Sequence, residues 1–488
     1  MKKADLEVFT SDYQTLPVTI QFKLENFRAL NLISHFRQAG QSCFLLTIAK
    51  APNRTFIGYR PKAKIHYHNG RLTVYKRGEV IHKVTALKPY LEKLLKDFKT
   101  PHLAALPAFT GGLVGYFAYD YARYANPVLA KDDLFDPDQL NDVDLLLVDS
   151  VITYDQDMQI MTLSKLISTD DFNAQFTAAE QYLVRLKTKI LQLQSTFLPV
   201  GLKLRPLQSR FDLPTFTKLV EKIKKHIYAG DIFQLILSNP QHAKINGSLL
   251  AAAEQLFTKT LSPYRFYFQD GSFEALGASP ETLVKKQKDK LFTYPLAGTR
   301  RRGENAIEDL QLAKQLQHSP KELAEHSMLV DLGRNDLGRV SLFGSVRVDK
   351  YRQLLRFSQV MHLASTIESK VDPQQSALDI IEALMPAGTL SGAPKICAMQ
   401  LISAFEKNKR GLYGGCFGYL DFNGDLDFCI GIRLAYRQGE NLTVSSGAGI
   451  VADSIAKDEY QECQNKARSV ILALQSSQTK GGQDVFIN

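Results

Sequence analysis

The sequence predicts an α+β fold in which a large antiparallel β-sandwich core is covered by helices. Two observations predict it. Strand-like runs are joined by tight turns into hairpins, and long helix-period segments stand apart from them instead of alternating with single strands as a doubly wound sheet requires. The first half carries two hairpins. One runs Ala63 to Tyr67 and Leu72 to Tyr75 around Asn69-Gly70, and the other Leu145 to Thr153 and Gln159 to Leu163 around Asp155-Gln156-Asp157. Phe172 to Gln194 has the period of a long helix. In the second half helix signals cover Phe216 to Tyr228, Glu308 to Leu332, Ser376 to Leu384, Pro394 to Phe405 and Glu459 to Leu474. A further hairpin turns at Asn423-Gly424, between Gly418 to Phe422 and Leu426 to Leu434. Ser195 to Leu213, followed by Pro214, is proline-bearing and aperiodic, so a boundary is expected there between residues 1–195 and 214–476.

Composition excludes several classes. At 488 residues, 44% hydrophobic and 23% charged, the chain reads as a globular protein. No window approaches the roughly 18 apolar residues a membrane span needs, and the lysine pair near the N-terminus has no apolar core after it. No membrane association is expected. The 5 cysteines are scattered without a CxxC pair, which suggests reduced thiols and a cytoplasmic protein. The net charge of +10 is dispersed, its densest clusters are short, and no nucleic-acid-binding pattern accompanies it. No nucleic-acid partner is expected; a basic surface also suits an acidic metabolite.

Four carboxylates form the first constellation. Glu322 and Glu325 stand at i and i+3 of one expected helix, and Glu459 and Glu462 repeat the spacing on another. Each pair shares a helix face. Two such faces meeting would repel unless a divalent cation bridged them, and all-oxygen ligation points to Mg2+. The alternative is solvated surface glutamates partnered by Lys321 or Lys457. Ser446-Gly447-Ala448-Gly449 and Gly388 to Lys395 are glycine-rich turns whose backbone N–H groups could approach an anion, or simply turns. Arg433, expected on a strand from Cys429 to Leu434, could grip a carboxylate or face outward. His362 interrupts an apolar run, as a base or as a satisfied core histidine.

Read in order, these segments resemble the chorismate-utilising enzymes from about Thr215 to Leu474. The matching segments include AGDIFQ (Ala229 to Gln234), SPET (Ser279 to Thr282), PLAGTRRRG (Pro295 to Gly303) and EHSMLVDLGRNDLGRV (Glu325 to Val340). They continue through VMHLAS (Val360 to Ser365), PAGTLSGAPK (Pro386 to Lys395), LYGGCFGY (Leu412 to Tyr419), GAGIVADS and EYQECQNKA (Glu459 to Ala467). Members that add water to chorismate carry a lysine where this chain has Gln234. Members that aminate the opposite ring position carry a lysine where it has Ala297. The resemblance is therefore to the branch that makes anthranilate from chorismate and ammonia at the start of tryptophan biosynthesis, with the aminodeoxychorismate synthases of the folate pathway as the alternative.

The resemblance implies roles for particular residues. Mg2+ would be held by Glu325 and Glu462 with Glu322 and Glu459 supporting, and Glu281 would protonate the departing ring hydroxyl. His362 would remove the proton whose loss restores aromaticity, with Gln234 and Thr389 also catalytic. Tyr413, Arg433, Gly447, Ala448 and Gly449 would bind the enolpyruvyl carboxylate, Gly298 and Thr299 the ring side, and Lys395 the substrate as well. No glutaminase nucleophile turn is present, so a separate glutamine amidotransferase subunit is the implied ammonia source. Relatives inhibited by tryptophan carry LLES and NPSPYM. This chain has Ile48 for the serine and Pro263-Tyr264-Arg265 at the second motif, so its tryptophan site is expected to be degraded. Two further departures are Asn239-Pro240 and Arg301.

Overall fold

The computed structural model describes residues 2–84, 86–126, 128–129, 134–193, 201–260, 262–356 and 360–478. Among these, two twelve-stranded antiparallel sheets lie face to face, with a three-stranded sheet beside them. The first large sheet runs from Thr15–Lys23 at one edge through Cys43–Ala49, Tyr264–Asp270, Phe273–Gly277 and Leu434–Gln438 to Leu202–Leu204. The second runs from Leu296–Arg301 and Val360–Lys370 through Thr282–Gln287, Leu426–Ile430, Cys416–Asp421 and Gly112–Phe117 to Glu79–Val84. The expected sandwich is present.

Strand periodicity explains the layering. Along Cys43–Ala49, Phe44 and Leu46 enter the core between the sheets with Phe266, Phe268, Phe417 and Tyr419. Cys43 and Leu45 face the other way, onto Phe176, Leu183 and Ile190 of the helix Phe172–Leu193. Both faces are apolar, so such a strand reads as a continuous hydrophobic run. The second sheet likewise packs its outer face on helices, including Val330 and Leu337 of Pro320–Gly338 and Ile380, Ile381 and Leu384 of Ala377–Leu384. The centroids of the Phe266 and Phe417 rings lie 4.3 Å apart across the interface.

Several expected elements differ in detail. The run Leu145 to Thr153 is two strands, Val143–Val148 in the second sheet and Ser150–Asp155 in the first. Leu426 to Leu434 divides in the same way, into Leu426–Ile430 and Leu434–Gln438, again in different sheets. Each is a sandwich corner where the chain changes sheet, which period-2 patterning does not reveal because both strands are buried. Arg433 is therefore at a crossover, with φ of 53°, and not on a strand. The expected helix Glu308 to Leu332 is two, Ala306–His318 and Pro320–Gly338. Pro320 cannot continue the first, and Ser319 caps the second by accepting from Glu322 N. Ser446 to Gly449 is not a turn, because Gly447–Ile450 is a strand.

The boundary between residues 1–195 and 214–476 runs through both large sheets, since each takes strands from before and after it. Residues 194–200, at the start of the expected linker, lie outside the described residues. Its far end is pinned by Asn239, one of the departures above. The Asn239 side-chain amide donates to Phe211 O at 2.9 Å, and its oxygen accepts from Phe211 N at 2.9 Å.

Gly418 lies within the sandwich strand Cys416–Asp421, where a Cβ would stand 2.1 Å from Asp427 O and 2.7 Å from Phe428 Cα. Backbone on a central strand cannot move aside as a side-chain tip can. Gly418→Ala is expected to destabilise the protein by about 1–3 kcal/mol, read as a lowered urea midpoint with an unchanged m-value.

Candidate active site

The three-stranded sheet brings three distant segments together. Gln234–Ser238 is its centre, with Gly392–Ala393 on one side and Gly447–Ile450 on the other. Leu235 and Leu237 turn to a helical layer containing Phe216, Val220, Met399 and Ile402, while Ala448 and Ile450 join them there. Gln234 and Ile236 therefore alternate to the opposite face. A Cβ on Gly449 would meet Gln234 Nε2 at 2.6 Å, and one on Gly447 would meet Tyr413 Oη at 2.7 Å. Gln234, Tyr413, Gly447 and Gly449 thus share one small space. Behind it the fully buried Arg410 donates to Leu390 O at 2.6 Å and Ile236 O at 2.8 Å, with its guanidinium 4.6 Å from the Tyr119 ring centre.

Lys466 ties this sheet to an acidic helix. On Ala456–Ser476, its Nζ contacts Glu462 Oε1 at 2.5 Å and donates to Gly447 O at 3.0 Å. Arg433 Nη1 donates to Lys466 O from the crossover. Lys466 was missed in the sequence, where Lys321 and Lys457 were the expected partners. The i, i+4 spacing from Glu462 was the available signal.

The other wall comes from Leu296–Arg301 and its neighbour Val360–Lys370. The register slips between Ala297 and Thr299, and Gly298, at φ 66°, is the extra residue of the bulge. Only glycine fits: a Cβ there would lie 2.9 Å from Glu322 Oε2 and 2.7 Å from Leu316 Cδ1. The bulge turns Gly298 O toward His362 Nδ1, 2.9 Å away. Thr299 pairs with His362 along the backbone. Burial, and then Arg433 nearby, hold the His362 pKa below its ordinary value despite the Gly298 carbonyl. The imidazole is neutral near pH 7, and a proton on Nδ1 makes Nε2 the basic nitrogen.

Glu281 precedes the strand Thr282–Gln287, and its Oε1 accepts from Thr389 Oγ1 at 3.2 Å. Burial pushes this carboxyl up to about 7, against the Thr389 hydrogen bond and the Lys466 charge, which pull it down. A carboxylic acid at that value is half-protonated at neutral pH and can give a proton.

The four helix carboxylates occupy the edge of this space. Burial raises the Glu325 pKa, and Glu322 and Glu462 raise it further against Lys321 and Lys466. Glu459 is raised by burial and by Glu462, although Ser454 Oγ donates to it at 2.8 Å. Glu322 is held by Arg300 Nη1 at 3.0 Å. Carboxylates from both helices therefore repel one another across a common region, which suits a divalent cation. No three of them have oxygens within 4.8 Å of one another. The expected four-carboxylate cluster is therefore not closed here, and at most two of these side chains could ligate one ion in this arrangement, with water and substrate completing its shell. Lys395 is not brought into this group: its ammonium contacts both oxygens of Asp336, at 2.9 and 2.8 Å. Arg301, the second departure, pairs with Glu308.

The residues expected at a degraded tryptophan site sit on two paired strands, Tyr264 opposite Ile48 and Arg265 opposite Thr47. Pro263 O accepts from Ala49 N at 2.7 Å. Lys50 fills the space beside them. Its Nζ lies 2.6 Å from Thr282 Oγ1, 3.3 Å from Tyr264 Oη and 4.4 Å from the Tyr294 ring centre.

The pattern of the chorismate binding enzyme family matches residues 41–472. The chain belongs to that family. It is 38% identical over 436 residues to anthranilate synthase component 1 of Neisseria meningitidis serogroup A, covering 87% of each chain. It is 35% identical to aminodeoxychorismate synthase component 1 of Bacillus subtilis, covering 94% of this chain and 97% of that one. The solved structure of anthranilate synthase component I from Streptococcus pneumoniae superposes with a TM-score of 0.73 at 33% identity, covering 86% of this chain and 92% of that one.

The raised carboxyl of Glu281 has a measurable consequence. A carboxyl whose folded pKa is raised contributes stability that is fully present below its unfolded value, near 4.5, and is lost as pH rises to about 7. Glu281→Gln removes this loss. Its Tm relative to the unsubstituted protein is expected to climb between pH 4.5 and 7 and to level off above; a flat difference would contradict the burial of this acid.

Proposed function

We propose that this protein is the large subunit of anthranilate synthase, converting chorismate and ammonia to anthranilate, pyruvate and water. The observation that carries the reading is the pair of uncharged residues in the cleft walls. Gln234 stands where a water-adding enzyme needs a lysine base. Ala297, buried on its strand, offers no amine to redirect attack to the opposite ring position. The second point separates it from the aminodeoxychorismate synthases.

The residues then divide the work. Glu325 and Glu462, with Glu322 and Glu459 supporting, would hold Mg2+, which when bound would supply positive charge facing the ring carboxylate of chorismate. Tyr413, Arg433 and the backbone of Gly447, Ala448 and Gly449 hold the enolpyruvyl carboxylate, and Gly298 and Thr299 bound the ring. Ammonia attacks the ring carbon adjacent to the one bearing the carboxylate. The ring double bonds shift, and the hydroxyl leaves as water with the proton of Glu281, which Thr389 orients. Neutral His362 then takes the proton from the aminated carbon. The C–O bond to the enolpyruvyl group breaks, its methylene gains a proton, and pyruvate departs from an aromatic ring. Lys395 acts indirectly, by fixing Asp336 of the first acidic helix to the PAGTLSGAPK loop. Ammonia comes from glutamine through a separate amidotransferase subunit. Among the described residues no helix is long and apolar enough to cross a membrane.

Chorismate, Mg2+ and an ammonium salt should give anthranilate fluorescence with this chain alone, and glutamine should replace ammonium only when the amidotransferase is added. A para-aminated or hydroxylated product would reject the assignment. His362→Gln is expected to lower anthranilate formation about a hundredfold while an aminated, pyruvate-bearing intermediate accumulates. Unchanged anthranilate formation would reject its role as base.

Feedback follows from Ile48, Arg265 and Lys50. An apolar Ile48 cannot make a serine's polar contacts, Arg265 adds bulk, and Lys50 occupies the space beside Tyr264. Micromolar tryptophan should leave the rate unchanged; inhibition in that range would show that the site still functions.

A further inference from the structure

Where the strand Tyr264–Asp270 turns into Phe273–Gly277, a cavity of about 440 Å³ opens between the two large sheets. Lys64, His66, Asn141, Asp144 and Asp270 line it. None of them belongs to the chorismate cleft. His66 Nε2 lies 2.7 Å from Asp270 Oδ2 and 3.5 Å from Asp144 Oδ1, and the three donor atoms all fall within 4.8 Å of one another.

The surroundings orient each carboxylate the same way. Asp270 Oδ1 accepts from Ser42 Oγ at 2.6 Å and pairs with Lys64 Nζ at 2.5 Å, leaving Oδ2 toward the imidazole. Asp144 Oδ2 accepts from Asn141 Nδ2 at 3.2 Å, leaving Oδ1 toward the same point. Outer partners that hold one oxygen and present the other are the usual support of metal ligands. Asp144 Oδ1 has no hydrogen-bond partner, although its side chain is only 2% exposed, and the His66 hydrogen bond goes to Asp270. A buried carboxylate oxygen left unsatisfied costs at least about 1–3 kcal/mol, so the position favours a cation. Bonds of about 2.1 Å at tetrahedral angles place neighbouring ligand atoms roughly 3.4 Å apart; the His66 to Asp144 separation of 3.5 Å matches this, and the 2.7 Å hydrogen bond from His66 to Asp270 must open as an ion enters.

We propose that His66, Asp144 and Asp270 form a second metal site, which takes a divalent transition ion such as Zn2+ or Mn2+. One imidazole nitrogen with two carboxylate oxygens suits these ions better than Mg2+, which prefers oxygen alone. The cavity leaves the remaining coordination positions open to water or to an anionic ligand.

The full chain, stripped with chelator, is titrated with Zn2+ in millimolar Mg2+, which saturates the acidic helices, and bound zinc is counted by calorimetry and elemental analysis. A Cys397→Ser background removes the one cysteine that is not fully buried. One equivalent should bind, should persist when Glu325 and Glu462 are both changed to Gln, and should weaken at least tenfold in both His66→Gln and Asp144→Asn. Co2+ should give a visible ligand-field spectrum that His66→Gln abolishes. Absence of a stoichiometric ion, or His66→Gln binding as tightly as the unsubstituted chain, would overturn the site. If Asp144→Asn lowers the thermal midpoint too far to titrate, His66→Gln decides, because that side chain is partly exposed.

Discussion

Three backbones meet at Gln234–Ser238, and the placement of the candidate site depends on that contact. A Cβ on Gly392 would stand 2.2 Å from Gln234 O; on the other side one on Gly447 would lie 2.8 Å from Leu237 O, and one on Gly449 2.6 Å from the Gln234 side-chain amide. Because the strands must touch, segments far apart in sequence are held at fixed spacing. One presents an amide, another a backbone cradle, and the third leads through Thr389 to the acid Glu281. Arg410 locks the arrangement from behind by bonding to carbonyls of two of these segments.

The acid and base are separated by environment. Glu281 is enclosed and has its pKa raised mainly by burial. His362 is held neutral by burial and by the Arg433 charge. The helix carboxylates face one another, and their repulsion is what a cation would relieve. Near pH 7 Glu281 is half-protonated while His362 is neutral, and Lys466 touches both Glu462 of the acidic helix and the glycine strand.

Much of this was legible in the sequence. Hairpin turns such as Asn69-Gly70 and Asn423-Gly424 marked the antiparallel class, and the i, i+3 glutamate pairs marked the acidic helices. Three things were not legible. Both sandwich corners are short, Asp149 and residues 431–433, so the strands on either side of each read as one run and the change of sheet goes unannounced. The strand Gly447–Ile450 looks like a turn because its glycines answer to a neighbour's backbone and not to a bend. The cluster of His66, Asp144 and Asp270 draws on three separate strands, and no local spacing announces it.

Each large sheet is one block of strands from the first part of the chain and one from the second, joined at a seam: Cys43–Ala49 beside Tyr264–Asp270 in the first sheet, and Gly112–Phe117 beside Cys416–Asp421 in the second. Neither end can be detached, inherited or exchanged as a module, since cutting at residues 195–213 would expose unpaired edges in the middle of each sheet. One strand of that seam, Tyr264–Asp270, carries the Lys50 contact at Tyr264 and the His66 contact at Asp270 at its two ends.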